Sequence, residues 1–405
     1  MSSVMKLLIV TRETAADRHY GLGRTLQPVL DHLVIKGHFV EYYDQSATAL
    51  VHQKWQPRFQ SYLGFIFGSL TPAIAERLIQ GMSAANRAIS EGFTHVWAHD
   101  PWLAAGIHLG VLRKKRMARP FKLIISEHGL GSYAWAVSKD GLKVGAKTFR
   151  RFMTLERYLL KRADAVFAPS YVARDALLRD LGLTATPDNF HVMGYGRPSV
   201  QPCSRIAARR YFGLPPEQAA PVILAAGRIA PVKGFSLLIE AAGHLQHHHD
   251  IAAQVIVAGG GDGSELIALA EKLKLAHRPI IGFQDDINWS LGAADLYVST
   301  CPVESFGQAN REALAAGLPA IVPASGGSGE VLGLGACLIP ISDPDPVRDA
   351  DERVRVVQRL AAKMAEILGS NAHHQYWREK SLQQAGEWPE WSDLADLYEQ
   401  RLSRL

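Results

Sequence analysis

Two cations five residues apart, Arg228 and Lys233, stand in the segment Gly227-Arg228-Ile229-Ala230-Pro231-Val232-Lys233-Gly234. Arg offers a planar fork of donors and Lys a compact charge, and both suit a diphosphate. Gly234 stands at the mouth of a predicted helix, whose first amides also favour anions. A surface loop with two ordinary cations fits the same residues, so the pattern needs its neighbours. The next such segment, Gly259-Gly260-Gly261-Asp262-Gly263, either lets a ligand approach the backbone or simply turns the chain. The strongest local pattern is Glu304-Ser305-Phe306-Gly307-Gln308-Ala309-Asn310-Arg311-Glu312-Ala313. Its first glutamate falls in a loop, and its second falls about two turns into a helix predicted over Phe306–Ala316, near the same face. One carboxylate there can meet sugar hydroxyls and the other a ribose diol, a known role for such groups. A helix start favours acidic residues in any case, which accounts for Glu304 but not for a glutamate amid Ala, Leu and Gly.

These residues need elements to hold them apart and aim them. Apolar runs alternate with amphipathic segments along the whole chain. KLLIVT (6–11), HFVEYYD, THVWAHD, FKLIISEHG, ADAVFAPS and FHVMGYG read as strands in the first half. Helices are predicted over Leu22–Lys36, Ala73–Ser90, Lys147–Arg162 and Val172–Leu181. The rhythm pauses near Arg197–Pro221 and restarts with VILAAGRI, AQVIVAGGG, IIGF, LYVST and AIVPAS, with helices predicted over Phe235–Leu245 and Ser264–Leu275. Residues 353–405 read as almost wholly helical. Strand–helix alternation of this length implies parallel sheets with crossover helices, here two doubly wound sheets in tandem. Ligands of such sheets bind beyond the strands' C-terminal ends, where the cations, glycines and glutamates above all fall.

The 405 residues fit two domains of roughly 150–200 residues each. No run is apolar enough for a spanning helix, and the N-terminus reads as a first strand rather than a leader. Three cysteines, Cys203, Cys301 and Cys337, form no paired or metal-type spacing, so a reducing, cytoplasmic setting is expected. His247-His248-His249 reads as a solvated helix end rather than a metal site. Charge is uneven: residues 1–198 carry 26 Lys/Arg against 15 Asp/Glu, and the rest 18 against 24. A basic first half fits either an anionic partner or a merely solvated surface.

Residues 222–335 resemble the donor domain of the retaining GT-B glycosyltransferases, specifically glycosyltransferase family 4, the glycogen-synthase-like and sucrose-synthase-like group. The matching residues are G-R-x-x-x-x-K-G at 227–234, the glycines at 259–263, A-A-D at 293–295, E-S-F-G at 304–307 and E-A-x-A-x-G-x-P at 312–319. The first half fits too, through Gly21-Leu22-Gly23 and through Ser126-Glu127-His128-Gly129. Glu156-Arg157-Tyr158, Ala163-Asp164-Ala165-Val166 and Pro169-Ser170 match the packing at the end of the family's first domain. Trp391-Ser392 with Tyr398 is similar to the family's last helix. Two departures are Ser299-Thr300-Cys301-Pro302, where the family commonly has Pro-Ser, and Tyr195-Gly196, where it commonly has Asn-Gly.

The resemblance implies a GT-B fold: an acceptor-binding Rossmann-like domain over 1–200, a donor-binding one over 201–385, a cleft between them, and a helix over 386–405 returning to the first. It implies a retaining hexosyltransferase using a UDP-sugar, or a GDP-sugar second, and a hydroxyl acceptor such as a lipid- or polysaccharide-linked glycan of the cell envelope. Arg228, Lys233 and backbone amides would stabilise the leaving β-phosphate. Glu304 would orient sugar hydroxyls, Glu312 would hold the ribose, and His128 would meet the donor sugar. Gly21, Gly23, Gly227, Gly260, Gly261, Ser305, Phe306 and Gly307 would line the donor. The departing phosphate itself would take the acceptor proton. No D-x-D-like pair stands at a strand end for Mg²⁺, so neither metal nor cofactor is expected. Arg113-Lys114-Lys115-Arg116, Arg119 and the cations of 139–162, interleaved with Trp135, Phe149, Phe152 and Leu155, fit peripheral contact with an anionic membrane as well as a solubilising surface. A sugar-nucleotide epimerase or hydrolase shares the fold, and a silent nucleotide-sugar-binding protein stays open. No G-x-G-x-x-G with a following acid supports an NAD enzyme, and no reader motif supports nucleic-acid binding.

Overall fold

The computed structural model describes residues 4–14, 21–48, 71–114, 119–139, 145–215, 220–341 and 350–405. The chain divides into two compact units. One comprises Met1–Gly196 with Pro389–Leu405, the other Arg197–Trp388. No helix among the described residues is long and apolar enough to cross a membrane.

The first unit runs β1 (Lys6–Val10), α1 (Gly21–Ile35), β2 (Phe39–Tyr43), α2 (Thr71–Ser90), β3 (His95–Ala98), α3 (Pro101–Arg113), β4 (Lys122–Ser126), α4 (Tyr133–Lys139), α5 (Ala146–Arg162), β5 (Ala165–Ala168), α6 (Tyr171–Asp180) and β6 (Phe190–Val192). The second runs α7 (Arg205–Tyr211), β7 (Val222–Ala226), α8 (Phe235–His249), β8 (Gln254–Ala258), α9 (Ser264–Lys272), β9 (Ile280–Gly282), α10 (Ile287–Ala293), β10 (Leu296–Val298), α11 (Gln308–Ala315), β11 (Ala320–Pro323), α12 (Gly327–Leu332), β12 (Cys337–Ile339), α13 (Ala350–Leu368) and α14 (Asn371–Glu387). Helix α15 (Trp391–Ser403) then belongs to the first unit.

Among the described residues each unit holds a six-stranded sheet, ordered β2-β1-β3-β4-β5-β6 and β12-β11-β10-β7-β8-β9. All pairings are parallel, as expected of near-continuous Val/Ile/Leu strands covered on both faces. Chain direction across each sheet reverses once, between β1 and β3 and between β7 and β10. Doubly wound sheets open their ligand crevice at such a switch point.

Both units use the same anchoring device. Asp164 accepts from the Leu123 amide at 2.8 Å and from Arg119 at 2.9 Å, which pins the start of β4. Asp295 accepts from the Val222 amide at 2.8 Å and from Arg209 at 2.8 Å, which pins the start of β7. Arg209 lies on α7, inside the stretch that reads as a pause in the sequence. Its guanidinium is 1 % exposed, and a buried cation stays buried only when paired.

Helix α3 was not legible from its pattern. PWLAAGIHLGVLR buries nine of its thirteen residues, so no polar stripe marks a 3.6-residue period. It packs on α2 at close range: a Cβ at Gly106 would sit 2.4 Å from the Leu78 carbonyl oxygen, and one at Gly81 2.1 Å from that of Leu103. The short strand β12 likewise offers too few residues for a period. Helix α15 lays Leu394, Tyr398 and Leu402 against Leu26, Val29 and Leu33 of α1. His32 bonds Asp396 at 2.7 Å, and His38 bonds Glu399 at 3.1 Å, along the edge of that contact.

Candidate functional site

In the second unit, the loops after β7 and β10 flank the switch point. The β7 loop carries Arg228 and ends in a single tight turn, Pro231–Lys233, before Gly234 caps α8. Thr300, just past β10, donates to the Lys233 carbonyl at 2.8 Å and so fixes the lysine's backbone. On the other side, the Gly327 amide donates to the Glu304 carbonyl at 2.7 Å. With both backbones held, the Lys233 ammonium meets the Glu304 carboxylate in an ion pair. Each side chain keeps about a fifth of its surface in solvent, at 24 % and 21 %, so the pair is reachable.

Neighbouring groups register these charges. Burial would lower the Lys233 pKa, but the Glu304 carboxylate, helped by Cys301, outweighs it and raises it, while Arg228 pushes the other way. The Cys301 thiol is pushed up to about 11 by burial and then by Glu304. The Tyr297 phenol rises well above its usual value through burial, then through Glu304 and Glu312. Arg228, Lys233, Glu304 and Glu312 therefore act on one neighbourhood at the ends of β7 and β10.

Helix α11 begins at Gln308, two residues later than the sequence pattern predicts. Gly307 holds φ +78°, a left-handed conformation that ends the loop and caps the helix. Glu312 consequently sits just over one turn in, not two, and is 9 % exposed. A buried chain supports the cap: the Tyr297 hydroxyl donates to Asn310 Oδ1 and Asn310 Nδ2 to Ser328 Oγ, both at 2.9 Å. Phe306 is buried under the Arg311 guanidinium, 4.8 Å from its ring centroid, and Ser305 is half-buried beside it. The glycine loops knit together: Gly227 N donates to the Ala258 carbonyl at 3.0 Å, and Ile229 N to that of Gly260 at 2.8 Å, with exposed Gly261 next in line.

The first unit holds His128, Gly21 and Gly23. Gly21 opens α1, and the Gly23 amide donates to Glu13 Oε2 at 2.6 Å. His128 follows β4 and is held by both ring nitrogens. Nε2 lies 3.1 Å from Nδ1 of His99, and Nδ1 lies 3.0 Å from the Tyr195 hydroxyl. The two imidazoles stack at 5.3 Å and 10°, and His99 stacks in turn on Trp97 at 4.9 Å. Burial pushes the His128 pKa down to about 4, and pushes His99 well below its usual value.

Sequence reasoning missed His99 and Asp100 beside this histidine, and read Glu127 and Glu156 only as part of the family resemblance. His99 and Asp100 end the strand THVWAHD at the first sheet's own switch point, a position that was the available signal. Asp100 caps α3 and pairs with Arg77 at 2.7 Å. Glu127 and Glu156 are 6 % and 0 % exposed. Burial lifts the Glu127 carboxyl well above its usual range and takes Glu156 up to about 8. Of the basic run, 115–118 lie outside the described residues, as does Lys143. On α5, Lys147, Arg150, Arg151, Arg157, Lys161 and Arg162 are exposed, with Leu155 and Tyr158, whereas Phe152 is buried.

Residues 212–383 match the family model for glycosyl transferases group 1, and 38–196 match a glycosyl transferase 4-like domain. D-inositol 3-phosphate glycosyltransferase 1 of Catenulispora acidiphila is 32 % identical over 296 residues, covering 69 % of this chain and 67 % of that protein. Among solved structures, sucrose-phosphate synthase of Thermosynechococcus elongatus superposes with a TM-score of 0.70 at 19 % identity, covering 99 % of this chain and 100 % of the other. HepE of Anabaena, solved with UDP-glucose, superposes with a TM-score of 0.69 at 18 % identity and the same coverage. At those identities the structural matches establish the fold, which is GT-B.

Proposed function

This chain belongs to the group 1 glycosyltransferases, GT-B enzymes of the family 4 type, and from that premise we propose that it moves a sugar from a nucleoside-diphosphate donor to a hydroxyl with retained configuration and without a metal. The observation that carries this is the Lys233–Glu304 pair, with Arg228 beside it, at the second sheet's switch point. As the glycosidic bond breaks, charge builds on the β-phosphate. Lys233 and Arg228 stabilise it, and their two charges take the place a divalent ion would fill. When donor is absent, Glu304 holds Lys233. When donor binds, the phosphate competes for the ammonium and frees Glu304 to accept from sugar hydroxyls. Glu312 accepts from the ribose. Neither glutamate is a nucleophile in this reading, since the departing phosphate takes the acceptor proton on the same face. His128 meets the sugar. The HepE complex with UDP-glucose favours a uridine donor, with guanosine second.

The acceptor is a hydroxyl, with lipid-linked glycans the leading class. The exposed cations of α5, with Leu155 and Tyr158 among them, suit the surface of an anionic bilayer. Flotation with vesicles containing phosphatidylglycerol, compared with neutral ones, tests that contact.

The direct test of the donor class is thermal stabilisation by UDP-, GDP- and ADP-sugars in EDTA. One of them should raise the melting temperature in proportion to the logarithm of its concentration. Stabilisation by NAD alone would remove this reading. Release of nucleoside diphosphate only when an acceptor alcohol is present then separates transfer from epimerisation or hydrolysis.

A further inference from the structure

We propose that His99 is a positioning residue that fixes the orientation and tautomer of His128, so that His128 presents an N–H, not a lone pair, on the side away from His99. This rests on the reading of His128 as the residue that meets the donor sugar. Three observations carry it. The His128 ring is clamped between two partners, His99 at 3.1 Å and Tyr195 at 3.0 Å. The rings of Trp97, His99 and His128 follow one another nearly parallel, at 4.9 Å and 29° and then at 5.3 Å and 10°. Finally, His99 Nε2 is buried and has no hydrogen-bond partner among the described residues.

The third observation decides where the protons sit. A neutral imidazole carries one N–H and one lone pair. If His99 carried its proton on Nε2, a buried donor would be left without an acceptor. Orphaned buried N–H groups are rarer than under-used acceptors, because the lost hydrogen bond is not recovered. The proton of His99 therefore sits on Nδ1 and is donated to His128 Nε2. His128 must then hold its own proton on Nδ1, directed at the Tyr195 oxygen. Exchanging that oxygen for a sugar oxygen leaves the rest of the chain unchanged, so His128 acts as a donor to the sugar. The burial that keeps both rings neutral is consistent with a single proton per ring.

The test is ¹⁵N NMR of the histidine side chains in the full chain, with three substitutions at His99. The wild type should show His128 as the Nδ1–H tautomer. His99→Phe keeps the stack but removes the N–H, and should convert His128 to a mixture or to Nε2–H. His99→Asn places an N–H where Nδ1–H stood and should restore the wild-type tautomer. His99→Gln places its N–H elsewhere and should not. With UDP-glucose as donor and an acceptor alcohol that supports release of UDP, His99→Phe should lower kcat at least tenfold with the KM for UDP-glucose changed less than twofold, and adding it to His128→Phe should cost nothing more. A wild-type His128 protonated on Nε2, or an unchanged tautomer in His99→Phe, overturns the proposal. If the tautomer moves as stated while His128→Phe leaves turnover intact, the positioning role stands and the donor-contact reading of His128 falls.

Discussion

The two sheets are both parallel and doubly wound, with different strand orders, and they treat ionisable groups in opposite ways at their switch points. In the second unit, Lys233 and Glu304 pair with each other and stay about one-fifth exposed. In the first, His99, His128, Glu127 and Glu156 are driven toward neutrality by burial, although Asp100 and Arg77 remain a close pair beside them. A site that must bind a dianion needs charge it can redirect. A site that must hold and orient a hydroxyl needs neutral donors and acceptors in fixed places. Under the proposed function, leaving-group chemistry falls to the second unit and orientation of hydroxyls to the first.

The largest effect that would sharpen this contrast is Lys233→Ala. Turnover should fall roughly 10²–10³-fold, the usual loss for one donor aimed at developing charge. Stability should change by no more than about 1 kcal/mol, because the pair is partly exposed and screened. A variant that unfolds, or one that turns over normally, breaks the contrast from the second unit's side.

Next comes pH. Glu156 is raised to about 8 in the folded state, so folding binds its proton more tightly than the unfolded chain does. That contribution is complete below the unfolded value near 4.5 and is lost as pH rises through 8. His128 runs the other way. Its folded value of about 4 lies below 6.5, so stability is complete above 6.5 and is lost as pH falls toward 4, by at most about 3 kcal/mol. Hydrogen exchange of the β4 amides should therefore show the first unit most protected in the middle of the range. Glu156→Gln should flatten the alkaline arm, and His128→Phe the acid arm. Equal slopes in both variants and the wild type would mean these groups are not neutral in the fold.

The smallest effect is Gly307→Ala. An L side chain at φ +78° costs about 1–2 kcal/mol, and its Cβ would lie 2.8 Å from Asn310 Nδ2. Exchange at β10 should rise while β4 is untouched. A change in both units would show that the cap is not local.

How much was legible follows the same division. The second unit's groups ride on loops between short apolar strands, where Arg228, Lys233, Glu304 and the glycines interrupt the apolar runs, so spacing exposed them. The alternation of elements gave both parallel sheets for the same reason. The pattern places Glu312 a turn too deep because it starts the helix at Phe306, whereas Gly307 takes the left-handed φ that only glycine adopts readily and delays the start to Gln308. In the first unit the informative groups are buried. His99 is the last residue before an acid that caps α3, and α3 is apolar nearly all round, so neither the helix nor the histidine beside it leaves a periodic trace. Glu156 reads as one more charge on a basic helix, and only packing shows it to be fully enclosed.

The central claim is that the cations of the second unit hold a nucleoside diphosphate without help from a metal. Calorimetric titration of UDP, GDP and ADP in EDTA, into wild type and Lys233→Ala, tests it most directly. One nucleotide should bind saturably to the wild type, and its affinity should fall at least tenfold in the variant. Absence of binding by all three until Mg²⁺ is added, or equal affinity in wild type and variant, would contradict the account.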